Sequence, residues 1–175
     1  NKDGQAVLIV PDNQTLDYFY TNLGKDFNAV KVSSEMGNKA FFDAWQAVQG
    51  GKVQVVVGTR QALGFPFKNL ALIVIDDPLH EFYKSDMSPK YNTADLAGYV
   101  AETNNCRLAY LSPIAGVENY FRFKTQEYEL MDKTSSRPPP MKIINMVSEI
   151  KSGNFSLLSR ELKNQLLSLV NPSNQ

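Results

Sequence analysis

Five places in this 175-residue chain put polar or charged side chains directly after an apolar run: Pro11-Asp12-Asn13, Ser33-Ser34, Gly58-Thr59-Arg60, Asp76-Asp77 and Ser112-Pro113. Two of them carry recognisable chemistry. Asp76-Asp77 closes the run Leu72-Ile73-Val74-Ile75. Paired carboxylates at such a point can hold Mg²⁺ through the first acid and polarise an attacking water with the second. They can equally form a solvated turn or a helix cap. Gly58-Thr59-Arg60 combines permissive backbone, a hydroxyl and a guanidinium, a set suited to one phosphate oxygen or to a strand backbone. Its plainer reading is a turn. A third region, from His80 to Tyr91, interleaves Phe82, Tyr83 and Tyr91 with Lys84 and Lys90. Bases stack on aromatic faces while cations meet phosphates, so the mixture suits single-stranded DNA. The competing reading is that Phe82 and Tyr83 pin a long loop onto a sheet edge. Other chemically capable side chains read as ordinary structure: His80 as a loop or helix-start residue, Cys106 as core, Trp45 as packing, and Arg107 and Arg122 as solvated surface.

These groups need a scaffold, and composition bounds it. Apolar residues are 43% and charged residues 21% of the chain, which is globular usage. Lys and Arg total 18, as do Asp and Glu. Zero formal charge excludes a coat of cations for nucleic acid but leaves room for a local basic strip. The lone Cys106 excludes an internal disulfide and a multi-cysteine zinc site, and fits a reducing compartment. Apolar runs such as 71–75 are too short to span a bilayer, and no charged-then-apolar leader opens the chain. The chain starts at Asn1 and reaches a strand almost at once, so a piece of a longer protein is expected.

Near-continuous apolar runs at 6–10, 29–32, 53–57, 72–75 and 107–111 read as strands buried on both faces of a parallel sheet. Helical spacing lies between them. Leu16, Phe19, Tyr20 and Leu23 share one face, closed by Gly24; Phe41, Ala44, Trp45 and Val48 share another, with Asn38 as N-cap. A helix over 93–103 is expected to bury Leu96, Ala97 and Val100, and a short one follows over 117–123. The alternation predicts an α/β fold with right-handed crossovers and helices on both faces. Pro138-Pro139-Pro140 favours an extended connection. The expected division is a lobe over 1–131, a linker over 132–141, and a second segment over 142–175. That segment is expected to open with a strand over 142–147. Its final helix, capped by Ser159, lines up Leu162, Leu166, Leu169 and Val170. The stripe is expected to dock on the lobe or on a second copy of the chain.

Taken in order, Gly58-Thr59-Arg60-Gln61-Ala62-Leu63-Gly64-Phe65-Pro66-Phe67, Asn69-Leu70 and Leu72-Ile73-Val74-Ile75-Asp76-Asp77 resemble the first motor lobe of the bacterial PriA-type replication-restart helicases. That family reads "GTRSALF-PF-NL-LI-VDEEH". The similarity continues through Tyr83-Lys84 and through 89–97, where the family has "YKQ" and "PRYHARDLA", and Pro11-Asp12 stands at the family's "PE". The resemblance implies a three-layer RecA-like, P-loop-type fold, ATP and Mg²⁺ as cofactors of the whole motor, and forked or single-stranded DNA and primosome proteins as partners. It also implies replication restart in a bacterial cytoplasm. Asp76 and Asp77 become a Walker B-like pair, with Asp76 holding Mg²⁺ weakly. Gly58, Thr59, Arg60, Phe82, Tyr83, Lys84, Lys90 and Tyr91 become DNA contacts, and Ser112 the remnant of motif III.

The departures are specific. No G-x-x-x-x-G-K-[ST] phosphate loop occurs, Asp77 replaces a glutamate, and Pro78 and Leu79 occupy the positions of a second glutamate and a histidine. Leu111-Ser112-Pro113-Ile114 stands where the family has "GSATPS". This chain is therefore expected to bind no nucleotide tightly and to hydrolyse no ATP. A non-enzymatic scaffold that keeps the motor fold to hold DNA and proteins is the alternative. An unrelated doubly wound nucleotide enzyme would need a glycine-rich first turn, which the sequence does not show.

Overall fold

The computed structural model describes residues 4–131 and 141–170. Among these, five strands pair into one wholly parallel sheet in the order β2-β3-β1-β4-β5. The strands are β1 (Gln5–Ile9), β2 (Ala29–Val32), β3 (Val55–Gly58), β4 (Leu70–Asp76) and β5 (Arg107–Leu111). The helices between them are α1 (Asn13–Leu23), α2 (Asn38–Gln49) and α3 (Thr93–Asn104). In register, Ile9 lies beside Gly58 on one side and Ile75 on the other, and Asp76 lies beside Leu111. The polar residues that follow the strands therefore emerge along one edge of the sheet.

Side chains alternate between the two faces of each strand. Val7, Ile9, Val56, Ile73 and Ile75 face a core closed by Ala44 and Val48 of α2 and by Ala97 and Ala101 of α3. Leu8, Val10 and Val57 face the opposite way, against Leu16, Phe19 and Leu23 of α1. The chain steps one way across the sheet through α1 and the other way through α2 and α3, so a single crossover hand puts α1 alone on its face. At the amino end of the sheet, buried Gln5 satisfies its whole amide. It donates to the carbonyls of Val48 and Val53 at 3.0 and 2.9 Å and accepts from the amides of Lys68 and Asn69 at 2.7 and 3.2 Å. That buried polar joint is invisible to hydropathy.

Beyond β5, α4 (Val117–Lys124) buries none of its residues. Val117, Tyr120 and Phe121 stay open to solvent, as does Leu111 at the end of β5. The outer edge of β5 has no strand partner among the described residues.

The chain divides into two compact units, 1–129 and 130–175. In the second, α5 (Met146–Lys151) is capped by Asn145, whose side chain accepts from the amides of Val147 and Ser148. A strand expected over 142–147 is therefore corrected to an irregular stretch followed by a helix, because Asn145 offers its own side chain to the backbone. Helix α6 (Arg160–Val170) starts where the Ser159 hydroxyl accepts from the amide of Leu162 at 3.1 Å. Glu149 ties the two helices together, accepting from Asn154 Nδ2 at 2.7 Å and from the Arg160 amide at 3.2 Å. Leu162, Leu166 and Leu169 remain exposed. The expected linker over 132–141 falls almost wholly outside the described residues. Two smaller corrections concern helix details. Gly37, not Asn38, is the N-cap of α2. Leu96 is exposed on α3, whose buried face is Thr93, Ala97 and Ala101. The small residues let the helix approach the sheet closely.

No helix among the described residues is long and apolar enough to cross a membrane.

Candidate nucleic-acid groove

The carboxyl ends of β1, β2 and β3 and the segment after β4 enclose an open groove of about 980 Å³. Thr59, Arg60, Phe82 and Lys84 line it. In open α/β sheets this end is where ligands bind.

Gly58 sets the first wall. A Cβ there would stand 2.6 Å from both the Ala62 methyl carbon and the Val32 carbonyl oxygen, so no side chain fits. The chain turns at once: the Thr59 amide donates to Val32 O at 3.2 Å and Thr59 O accepts from the Ala62 amide at 2.9 Å. The turn Arg60–Gly64 buries Ala62 and Leu63 and leaves the Arg60 side chain exposed on the groove.

The second wall is the segment after β4. Asp77 adopts left-handed backbone at φ 45°, a conformation Asp tolerates better than most residues. Its amide donates to Leu111 O at 2.8 Å, and its carbonyl accepts from the His80 amide at 2.9 Å. His80 caps the short turn Glu81–Tyr83, its Nδ1 accepting from the Phe82 amide at 3.3 Å, and its ring lies 4.8 Å from the ring of Phe82. Phe82 is thereby held outward, 55% exposed.

Tyr83 points the other way. Its side chain is 1% exposed, and its hydroxyl donates to the carbonyl of Asp76 at 2.6 Å, with the carbonyl of Ile9 within reach at 3.2 Å. Thr93 returns a bond from its hydroxyl to Tyr83 O at 3.1 Å. The expectation that a base stacks on Tyr83 is corrected: the ring is sealed in the core and fastens the segment to the sheet. Lys84 then pairs with Asn92 in an antiparallel bridge, and the Ser85 amide donates to Tyr91 O at 2.8 Å. Lys90 and Tyr91 stand on the returning arm of this loop, off the groove lining.

The acids serve different ends. Asp12 is the N-cap of α1, accepting from the Thr15 amide at 2.8 Å and its hydroxyl at 3.2 Å. The Thr15 amide bond, above all, holds its carboxyl below the usual range. Asp76 is shifted upward, first by burial and then by the nearby charges of Asp77 and Asp12. Ser112 turns its hydroxyl into its own loop, onto Ile114 O at 2.6 Å. Leu79 packs against Gly116, where an added Cβ would meet its Cδ2 at 2.7 Å. Among the described residues no three His, Cys, Asp or Glu side chains are grouped to hold a metal ion. Asp76 alone does not compose a Mg²⁺-nucleotide site.

No protein-family model matches the chain. Curated relatives do. It is 31% identical over 177 residues to the replication restart protein PriA of Synechocystis, which covers 93% of this chain and 21% of the relative. It is 29% identical over 173 residues to PriA of Bacillus subtilis, covering 94% of this chain and 21% of the relative. This chain is a relative of the PriA replication restart proteins. It spans about a fifth of the length of these PriA relatives. Among solved structures, the C-terminal domain of Dbp5 from S. cerevisiae superposes with a TM-score of 0.50 at 12% identity, covering 72% of each chain. The fold is that of a RecA-like helicase lobe.

The structure thus brings Thr59, Arg60, Phe82 and Lys84 into one groove. It leaves Lys90, Tyr91, Ser112 and the Asp76-Asp77 pair outside the lining. Ser34, expected at a strand end, and Gln61 of the Gly58–Phe67 stretch also face the groove, as do Glu81 and Asp86, which residue pattern alone did not single out. Their position after strand ends was the only available signal.

Proposed function

We propose that this chain is part of a PriA-like, ATP-dependent DNA helicase of replication restart, and that its groove holds single-stranded DNA at a fork. Thr59 and Arg60 take a phosphate, Phe82 stacks on a base, and Lys84 meets the next phosphate. Gly58 contributes by letting the turn sit close to the sheet. Lys90 and Tyr91 meet the strand only beyond the groove. ATP, Mg²⁺ and primosome proteins belong to the whole motor. The observation that carries the reading is the convergence of two free cations and an exposed aromatic ring on one groove in a PriA relative. Fluorescence anisotropy with a labelled single-stranded oligonucleotide tests it. Arg60→Ala and Lys84→Ala should each weaken binding and lower the salt dependence by about one phosphate contact. Phe82→Ala should cost about 1–3 kcal/mol. Undiminished binding by all three variants removes the groove from the interface.

A second reading is favoured by the acidic turn. Asp77 is folded into left-handed backbone with its amide committed to Leu111, and Pro78 and Leu79 follow it. On this reading the lobe is a scaffold that holds DNA without hydrolysing ATP. Phosphoryl transfer depends on positioned cations and donors around the phosphates. DNA-stimulated phosphate release by the purified chain, abolished in Asp76→Asn, would overturn the scaffold.

A further inference from the structure

His80 is not part of the groove lining, yet it is fastened to the wall at three points. Its amide donates to Asp77 O at 2.9 Å, its carbonyl accepts from the Tyr83 amide at 3.2 Å, and its Nδ1 accepts from the Phe82 amide at 3.3 Å. The imidazole so anchored lies 4.8 Å from the Phe82 ring, tilted by 56°. Phe82 is more than half exposed, and its neighbour Tyr83 is turned into the core. An exposed aromatic ring without such a neighbour turns among its rotamers. The charges of the groove give a strand only a partial hold. Asp12, Glu81 and Asp86 line it together with Arg60 and Lys84, so its acids offset much of the pull of its cations on phosphates. The stacking ring therefore matters more here than in a purely basic channel. Stacking tolerates any sequence, because every base has a π-face.

We propose that His80 is a positioning residue for strand binding: it holds Phe82 in its outward orientation before a strand arrives, and acts on the strand only through that ring. The inference rests on the DNA-binding reading of this groove and deepens it. Two contacts do the holding. The cap on the Phe82 amide fixes the backbone from which the ring projects, and the imidazole occupies one side of the ring. A ring already in place need not be ordered on binding, which removes part of the entropy loss of association. Histidine suits the position because it joins an acceptor, within reach of the amide two residues on, to a flat ring. Asparagine offers the acceptor alone. Alanine offers neither.

The test is a double-variant cycle on the 175-residue chain, read by anisotropy with a labelled single-stranded oligonucleotide of mixed sequence at one pH and one salt concentration. His80→Ala should weaken binding about three- to tenfold, the effect of leaving one side chain to be ordered on association. His80→Asn should recover part of that loss through the restored cap. In a Phe82→Ala background, His80→Ala should change nothing further, since the ring through which it acts is gone. Circular dichroism confirms that each variant is folded. Wild-type affinity in folded His80→Ala, the same loss with and without the Phe82 ring, or no recovery in His80→Asn overturns the positioning role while leaving the groove as a DNA site. Unchanged binding by Phe82→Ala itself overturns the stacking contact and the role of His80 with it. Failure of the wild type to bind overturns the DNA reading as a whole.

Discussion

The hydroxyl of Tyr83 donates to the carbonyl oxygen of Asp76 at 2.6 Å, and the Ile9 carbonyl lies within reach at 3.2 Å. One side chain from the groove wall thus closes the gap between the carboxyl ends of two neighbouring strands. Burial raises the Tyr83 pKa far above the ordinary phenol value, so the hydroxyl stays protonated and donating. Tyr83→Phe keeps the ring and removes the donor between the two carbonyls. It should cost about 1–3 kcal/mol in urea unfolding, whereas Tyr83→Ala should cost about 3–5 kcal/mol by adding a cavity. Equal stability of Tyr83→Phe and the wild type would mean that the hydroxyl is idle.

Asp76 and Asp12 should respond to pH in opposite senses. The folded state raises the Asp76 pKa above 3.8, so its ionisation opposes folding, and this loss grows as pH rises from 3.8 through the folded value. Asp76→Asn should therefore be more stable than the wild type near neutral pH, with the advantage vanishing below 3.8. Urea unfolding across that range measures it. An advantage independent of pH, or none at all, contradicts the burial argument.

Asp12 is the reverse case. Its folded pKa lies below 3.8, so the cap contributes fully above that value and is lost as pH falls through the lowered one. Asp12→Ala should cost about 1 kcal/mol near neutral pH and less in acid. Thermal melts at both pH values decide whether the cap works through its charge.

Gly58 and Gly116 are both crowded, yet they should differ in tolerance. At Gly58 a methyl meets backbone, the Val32 carbonyl, which cannot move without disturbing β2 and β3. Gly58→Ala should cost about 1–3 kcal/mol. At Gly116 the obstacle is the end of the half-exposed Leu79 side chain, which can rotate away. Gly116→Ala should cost less than about 1 kcal/mol. Chemical denaturation of the two variants side by side ranks them.

Much of this architecture was legible from the residues. The runs around Val7, Val56 and Ile73 are apolar without alternation because both of their faces are covered, and the order of strands and helices follows from that pattern. The groove was only half legible. Phe82 and Tyr83 are adjacent aromatics of similar size, and nothing local says which faces solvent. That is settled by two carbonyls, Ile9 and Asp76, which only the folded sheet brings together. The 142–147 stretch misled for a related reason. Its Ile143 and Ile144 favour a strand, but a strand requires a neighbour, while Asn145 carries its own cap for a helix.

The two margins of the sheet are guarded unequally. β2 carries Lys31, engaged with Asp17 of α1. β5 runs Arg107-Leu108-Ala109-Tyr110-Leu111 with no proline or lysine along it and ends in an exposed leucine. Open margins of this kind template the addition of further strands. In concentrated solution the isolated chain should associate along β5, so turbidity on storage will reflect recruitment at this margin rather than unfolding. A single lysine at the exposed end of β5, as in Leu111→Lys, should keep the chain dispersed without lowering its melting temperature.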